Sequence, residues 1–398
     1  MLLGALAAGL ALSASAVLGW TRDPAAADQA ATQLIAAAGM GLVVLLAVPS
    51  VVLSLLRLIE RPAPGWASRP WIDIHAAPRR TTVFLLIVIL WGLAITAGSW
   101  AANQAGYGQL ALAPLFALVV GLPVAAYLVL GAGGLAGGSP QRRWGILGAG
   151  LAGTSLVVLL VELLTFGLVA VALLVLLASQ PDSLINLNRL VQRIANAQIT
   201  PENLGRILRP YLQPWLVFAG VAIVSGLAPL IEELLKPLPL WLFSRRALTP
   251  AEGFVGGLLC GAGFALFESL GDLVNVTGQS WAVSAVGRAG TDLLHMVNTG
   301  LMGWALALAW TERRYLRLAL TYLLVVGIHG LWNTISLAVG LLPLVTPAQA
   351  FLRQPGISTG LVAALVAMYL GLLILLITAN RQLARTSAPG EPVGENPA

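Results

Sequence analysis

Ten apolar runs recur along this chain, each close to or above the roughly 20 residues a helix needs to cross a bilayer. They lie at about 1–20, 31–56, 82–101, 108–131, 145–178, 214–236, 251–274, 282–310, 316–343 and 357–379. No other feature limits the fold as strongly. The expected architecture is all-α, a polytopic transmembrane helix bundle of about ten spans. Composition agrees, because 58% of residues are hydrophobic and 10% charged, against about 25% charged in soluble domains. A cytosolic enzyme and a disordered chain are excluded. The single cysteine, Cys260, also excludes a disulfide-built secreted domain and any zinc site built on paired cysteines.

The net charge of +6 comes from arginines that flank the apolar runs. No basic patch is interleaved with aromatics, so no nucleic-acid partner is expected. Arginine counts in the short loops set orientation. Arg57, Arg61, Arg69, Arg79 and Arg80 follow the second run, Arg142 and Arg143 the fourth, Arg245 and Arg246 the sixth, and Arg313, Arg314 and Arg317 the eighth. The alternate loops are poor in arginine except 179–213, which carries Arg189, Arg193, Arg206 and Arg209 although alternation puts it outside. This predicts a multi-pass protein of the cell membrane with both termini cytoplasmic. The first run is read as a retained helix, since no positive charge precedes it.

The fifth run is long enough to require tilt or a break, and Glu162 sits in its middle. The organisation read from the chain is an N-terminal scaffold of five spans over 1–178, a connector over 179–213, a catalytic bundle over 214–345, a final span over 346–380 and a disordered tail over 381–398. Within the connector, Ser183 to Ala197 has the spacing of an amphipathic helix lying on the membrane, and Thr200 is placed to cap a second one; a solvated connector fits as well. The Gly-rich stretch 131–138 reads as a flexible loop.

Ionisable residues inside apolar spans cost about 2.5–3.5 kcal/mol each at the helix centre, so they are functional candidates. Four consecutive spans carry them. The sixth holds Glu232, Glu233 and Lys236, the only lysine of the chain. Glu232 and Lys236 share a helix face, while Glu233 lies about 100° around. The two carboxylates are therefore expected to serve different ends, one facing a cavity and the other bracing a neighbour. Pro237 and Pro239 then interrupt the helix. The seventh span holds Gly261-Ala262-Gly263-Phe264 followed by Glu268, small residues that permit close helix packing. In the eighth, Asp292, His295, Asn298 and Thr299 form one stripe, so Asp292 is placed to orient His295; Arg288, one turn earlier, competes for that carboxylate. The ninth holds His329 and Asn333 on one face, with Trp332 beside them. Each cluster alone also suits ordinary helix-to-helix bonding. Their concentration in four successive spans points to one converging site.

At these residues the chain resembles the PrsW family of glutamic intramembrane proteases, within the wider group that includes the CAAX prenyl proteases. The group's signatures are paired glutamates followed by a basic residue, Phe-x-x-x-His or Phe-x-x-x-Glu, and His-x-x-x-Asn. Here they read Glu232-Glu233 with Lys236, Phe264 to Glu268, and His329 to Asn333, with His295 on the intervening helix. The resemblance covers about 214–340 and not the first five spans. The CAAX enzymes usually carry Arg after the glutamates and His at the place of Glu268, which favours the PrsW branch.

The resemblance implies a glutamic peptidase that cuts a membrane-protein or membrane-anchored peptide within the bilayer. Its catalytic residues would be Glu232, Glu233, Glu268, His295, His329 and Asn333, with Lys236, Phe264, Asp292, Asn298 and Trp332 in support. One glutamate of the pair would activate water, a histidine would protonate the leaving amine, and Asn333 would steady the oxyanion. No cofactor is expected. Zinc held by glutamate and histidine is the alternative on cofactor, and an ion- or proton-coupled transporter or a non-catalytic scaffold the alternatives on function.

Overall fold

The computed structural model describes residues 2–22, 27–62, 64, 77–104, 110–178, 188–189, 191–193, 207, 214–243, 248–274, 276, 280–340, 349–352 and 354–387. Among these there are helices and turns but no strand. The helices are α1 (Leu2–Arg22), α2 (Ala27–Leu58), α3 (Ala77–Ala102), α4 (Leu112–Gly131), α5 (Pro140–Gly148), α6 (Ser155–Ala178), α7 (Pro214–Ala222), α8 (Ala228–Leu235), α9 (Leu238–Trp241), α10 (Pro250–Leu273), α11 (Ser280–Glu312), α12 (Tyr315–Gly340), α13 (Gln349–Leu352) and α14 (Pro355–Ser387). Two wide π-turns, Ala149–Thr154 and Ile223–Leu227, join α5 to α6 and α7 to α8.

Nine stretches among the described residues are helical, long and apolar enough to cross a membrane: Gln29–Leu58, Arg79–Ala102, Leu112–Gly131, Pro140–Leu176, Pro214–Trp241, Pro250–Leu273, Ser280–Glu312, Tyr315–Gly340 and Pro355–Thr386. The chain is a multi-pass membrane protein. These match nine of the ten expected runs. The first run is the exception: its apolar part is the shorter helix Gly4–Gly19. The fifth run, expected to need tilt or a break, stays helical and widens at the first π-turn. The sixth run breaks at Lys236–Pro237, because proline lacks the N–H that would continue the ladder, and helix resumes at Leu238. Helix α14 runs on to Ser387, past the expected start of a disordered tail at 381. Most of the connector, including most of the expected amphipathic helix and Thr200, lies outside the described residues.

The chain forms two compact units. One comprises residues 1–155, 236–321 and 372–398, and the other 156–235 and 322–371. In the first unit, α10 and α11 are the centre: 83% of the most apolar stretch of each is buried, against 11% for α3. Helix α10 begins where Thr249 and Glu252 form a reciprocal capping box, with Pro250 in the first turn. From there glycines meet the backbone of α11. A Cβ on Gly257 would stand 2.8 Å from the carbonyl carbon of Thr299 and 2.9 Å from the Cα of Gly300. One on Gly261 would stand 2.6 Å from the His295 carbonyl oxygen. The two helices touch backbone to backbone because these positions have no side chain.

The Gly-rich stretch after α4, expected to be flexible, is tied down instead. Asn380 of α14 donates its amide to the carbonyls of Gly131 (2.9 Å) and Gly133 (3.0 Å), and Arg80 bonds Gly133 and the Asn380 Oδ1. Carbonyls left over at a helix end need such partners when buried. Gly134 and Gly138 take the left-handed φ values of 77° and 76° that turn the chain into α5.

In the second unit, α12 reads the helix that carries the glutamates. Tyr322, His329 and Asn333 are seven and four residues apart and so share one face. Tyr322 donates its hydroxyl to the Leu230 carbonyl at 2.8 Å, and Asn333 Nδ2 donates to the Val224 carbonyl at 2.9 Å. Val224 lies in the second π-turn, where the wider winding releases carbonyls from the regular ladder. Gly330 lies against the carbonyl oxygen of Ser225, an approach that a side chain would block.

Candidate active site

Two groups of the sequence-selected residues assemble, one in each unit. In the second unit the imidazole of His329 stands between the paired glutamates. Its Nδ1 is 2.8 Å from Glu233 Oε1, and its Nε2 is 3.9 Å from Glu232 Oε2. Glu233 is 0% and His329 2% exposed, so neither relies on water for its hydrogen bond. The two carboxylates were expected to part company, being 100° apart on the helix. They converge because an imidazole has two nitrogens, and each glutamate approaches a different one.

In the first unit His295 is held from both sides. Lys236 Nζ is 2.7 Å from its Nδ1, and Glu268 Oε2 is 2.6 Å from its Nε2. An ammonium only donates, so Nδ1 accepts and Nε2 carries the proton that it donates to Glu268. The single lysine thereby fixes the histidine tautomer. Phe264 closes the third side, edge-on to the imidazole with ring centroids 5.1 Å apart, and its face lies 4.5 Å from Lys236 Nζ. Such a cation–π contact is attractive to an ammonium. The close packing of Gly261 on the His295 backbone brings this histidine, on α11, within reach of Glu268 on α10.

Asp292 does not orient His295 in the manner its spacing suggests. Its Oδ1 accepts from Ser269 at 2.7 Å and lies 3.7 Å from Arg288. Arg288, which the sequence offered only as a rival for Asp292, is the hub of an acidic cluster. It donates to Glu268 (2.9 Å), Asp272 (3.0 Å) and Ser269 (3.0 Å). A helix neighbour lost to a partner on the next helix, since the glycine contact sets Glu268 nearer. Asn298 and Trp332 are buried as expected. Asn333 is half-exposed and braces the π-turn. Sequence reasoning missed Ser269, Asp272 and Tyr322. The signal for Tyr322 was available: it falls on the His329–Asn333 face two turns earlier.

Carboxylate oxygen and imidazole nitrogen are donors that zinc accepts. One ligand atom from each of Glu232, Glu233 and His329 lies within 4.8 Å of the others, and all three residues are buried. This Glu/His group can hold a metal ion.

The comparisons with known proteins bear on this geometry. The family model for "PrsW family intramembrane metalloprotease" matches residues 154–370, more than half of the chain. The chain belongs to the PrsW family. The match includes all the candidate residues and begins well before residue 214, so the likeness extends into the fifth span, contrary to the sequence expectation, and on through most of the last. PrsW membership together with the nine apolar helices supports an intramembrane protease whose surroundings are lipid. No curated protein and no solved structure matches the chain.

Proposed function

We propose that this PrsW protein hydrolyses a peptide bond of a membrane-protein or membrane-anchored substrate, with water activated by a buried glutamate. The observation that carries this reading is the Glu233–His329 hydrogen bond, 2.8 Å long and shielded from solvent, with Glu232 at the other ring nitrogen. We assign the base to Glu233. The water oxygen bonds to the carbonyl carbon while its proton passes to the Glu233 carboxylate. As the C–N bond breaks, His329 relays a proton to the leaving nitrogen. Lys236, held on His295 and Phe264, completes the cluster of the first unit. Glu268 and Arg288 position His295. Asn333 acts at one remove, by holding the π-turn before α8.

The catalytic part of this reading is 214–345, and the family match adds residues from 154 onward. The arginine-rich loops support placing the protein in the cell membrane with both termini cytoplasmic. The order of the four motifs supports kinship with the CAAX prenyl proteases.

A second reading is favoured by the family description, which names a metalloprotease. Glu232, Glu233 and His329 would hold the ion, which when bound would polarise a carbonyl and acidify water. Dialysis of the purified protein against chelator separates the two. Under the glutamate reading, cleavage of single-pass membrane peptides persists at the wild-type rate. Loss on chelation, restored by added zinc, would transfer the mechanism to the metal.

The role given to Asn333 has its own test. Asn333→Ala should cost about 0.5–1.5 kcal/mol of stability, the ordinary worth of one such hydrogen bond, and lower cleavage only a few-fold. Thermal melting in detergent reads the first and initial rates the second. A loss of cleavage as deep as that of Glu233→Gln, with unchanged melting, would return Asn333 to the reacting atoms.

A further inference from the structure

The first unit contains a cavity of about 520 Å³ that none of the cluster residues lines. Its polar side is formed by Arg57, Gln141 and Arg142, and its apolar side by Ile146, Pro239 and Phe243. Among the described residues, no aspartate or glutamate lines it. The volume is that of a small-molecule site.

Its position in the fold is informative. Arg57 is in the last turn of the span Gln29–Leu58, Gln141 and Arg142 are in the first turn of the span that begins at Pro140, and Phe243 lies two residues past the span that ends at Trp241. The cavity therefore opens where three spans reach one membrane surface. It is the face that the arginine counts assign to the cytoplasm.

The polar side is built rather than accidental. Ser139 caps α5 by accepting from the Arg142 N–H at 3.2 Å, which fixes the residue's backbone. The Arg142 guanidinium is anchored by an ion pair with Glu252 and lies 5.9 Å from the Phe243 ring. Arg57 donates to Gln141 at 3.1 Å. Two guanidiniums are thus oriented by neighbours above an apolar floor. Leu242 also lines the cavity and is exposed, as are Leu55 and Leu58 beside Arg57.

We propose that this cavity binds an anionic phospholipid, its phosphate between Arg57 and Arg142 and its acyl chains along Ile146, Pro239, Phe243 and the outward leucines. The ligand is anionic, because the lining carries two cations against the one carboxylate, Glu252, that pairs with Arg142. It must be amphiphilic, because half of the lining is apolar and continuous with the lipid-facing surface. Basic pockets between helices at the membrane surface suit such headgroups.

The test uses the full chain, purified in detergent and examined by native mass spectrometry with palmitoyl-oleoyl phosphatidylglycerol, palmitoyl-oleoyl phosphatidylcholine, inorganic phosphate and an acidic soluble peptide as separate probes. The wild type should retain phosphatidylglycerol well above phosphatidylcholine. Arg57→Ala should lower that retention roughly fivefold, and Arg142→Ala at least as much. Gly145→Leu keeps every charge and fills the cavity, since a Cβ there meets nothing within 4 Å; it should lose the lipid. Arg385→Ala, at the end of α14, should change nothing. If Arg142→Ala fails to fold for want of its Glu252 pair, Arg57→Ala and Gly145→Leu decide. Retention equal to wild type in both would overturn the proposal. So would displacement of the lipid by inorganic phosphate at equal concentration, or preferential binding of the peptide.

Discussion

Glu233→Gln is expected to lower peptide cleavage by about 10²–10⁴-fold, the usual contribution of a general base, while the protein stays folded. Glutamine has the shape of glutamate and keeps a carbonyl oxygen to accept from His329, so the 2.8 Å contact survives the change. What disappears is the negative charge and the ability to take a proton from water. Glu232→Gln should cost less, because Glu232 stands 3.9 Å from the ring and makes no such bond to His329. His329→Ala should resemble Glu233→Gln, since it leaves the buried carboxylate without its imidazole. The measurement is the initial rate on a panel of single-pass membrane peptides, with melting curves of each variant in the same detergent. Wild-type cleavage by Glu233→Gln would remove Glu233 from the chemistry.

The second large effect concerns the helix pair that carries His295 and Glu268. Gly257→Ala adds one methyl group where the Thr299 and Gly300 backbone stands 2.8–2.9 Å away. Backbone cannot rotate aside like a side chain, so α10 and α11 must separate. Overpacking of this kind costs about 1–3 kcal/mol or more. Separation also lengthens the 2.6 Å contact between Glu268 and His295, and activity should fall with stability. Gly271→Ala is the matched control on the same helix. Its new methyl group meets nothing within 4 Å, and it should stabilise by about 0.4–1 kcal/mol through the unfolded chain. Melting temperatures that move in opposite directions would confirm the packing argument. Equal shifts for the two would defeat it.

The spans were legible because a bilayer demands a fixed apolar length and the chain supplies it nine times over. The polar clusters were legible because burying Glu233, Lys236 or His295 is costly, and few positions carry such a cost without a purpose. Partner choice was not legible. Helical spacing offered Asp292 to His295, and only the glycine contact between α10 and α11 gives the histidine to Glu268. Spacing also turned Glu232 away from Glu233, and nothing in the sequence says that one imidazole receives both. The π-turns have no sequence pattern strong enough to read, so the bond from Asn333 to the Val224 carbonyl was not foreseen. The arginine loops gave an expected orientation but not the cavity, which depends on the end of α2, the start of α5 and the end of α9 coming together.

The backbone contact between α10 and α11 has a consequence for temperature. Helices in a bilayer gain no water-exclusion drive from meeting one another; dispersion and weak Cα–H···O contacts hold them. Forces that depend on water weaken on cooling, and these do not. The seam that aligns His295 with Glu268 therefore has no intrinsic reason to loosen in the cold.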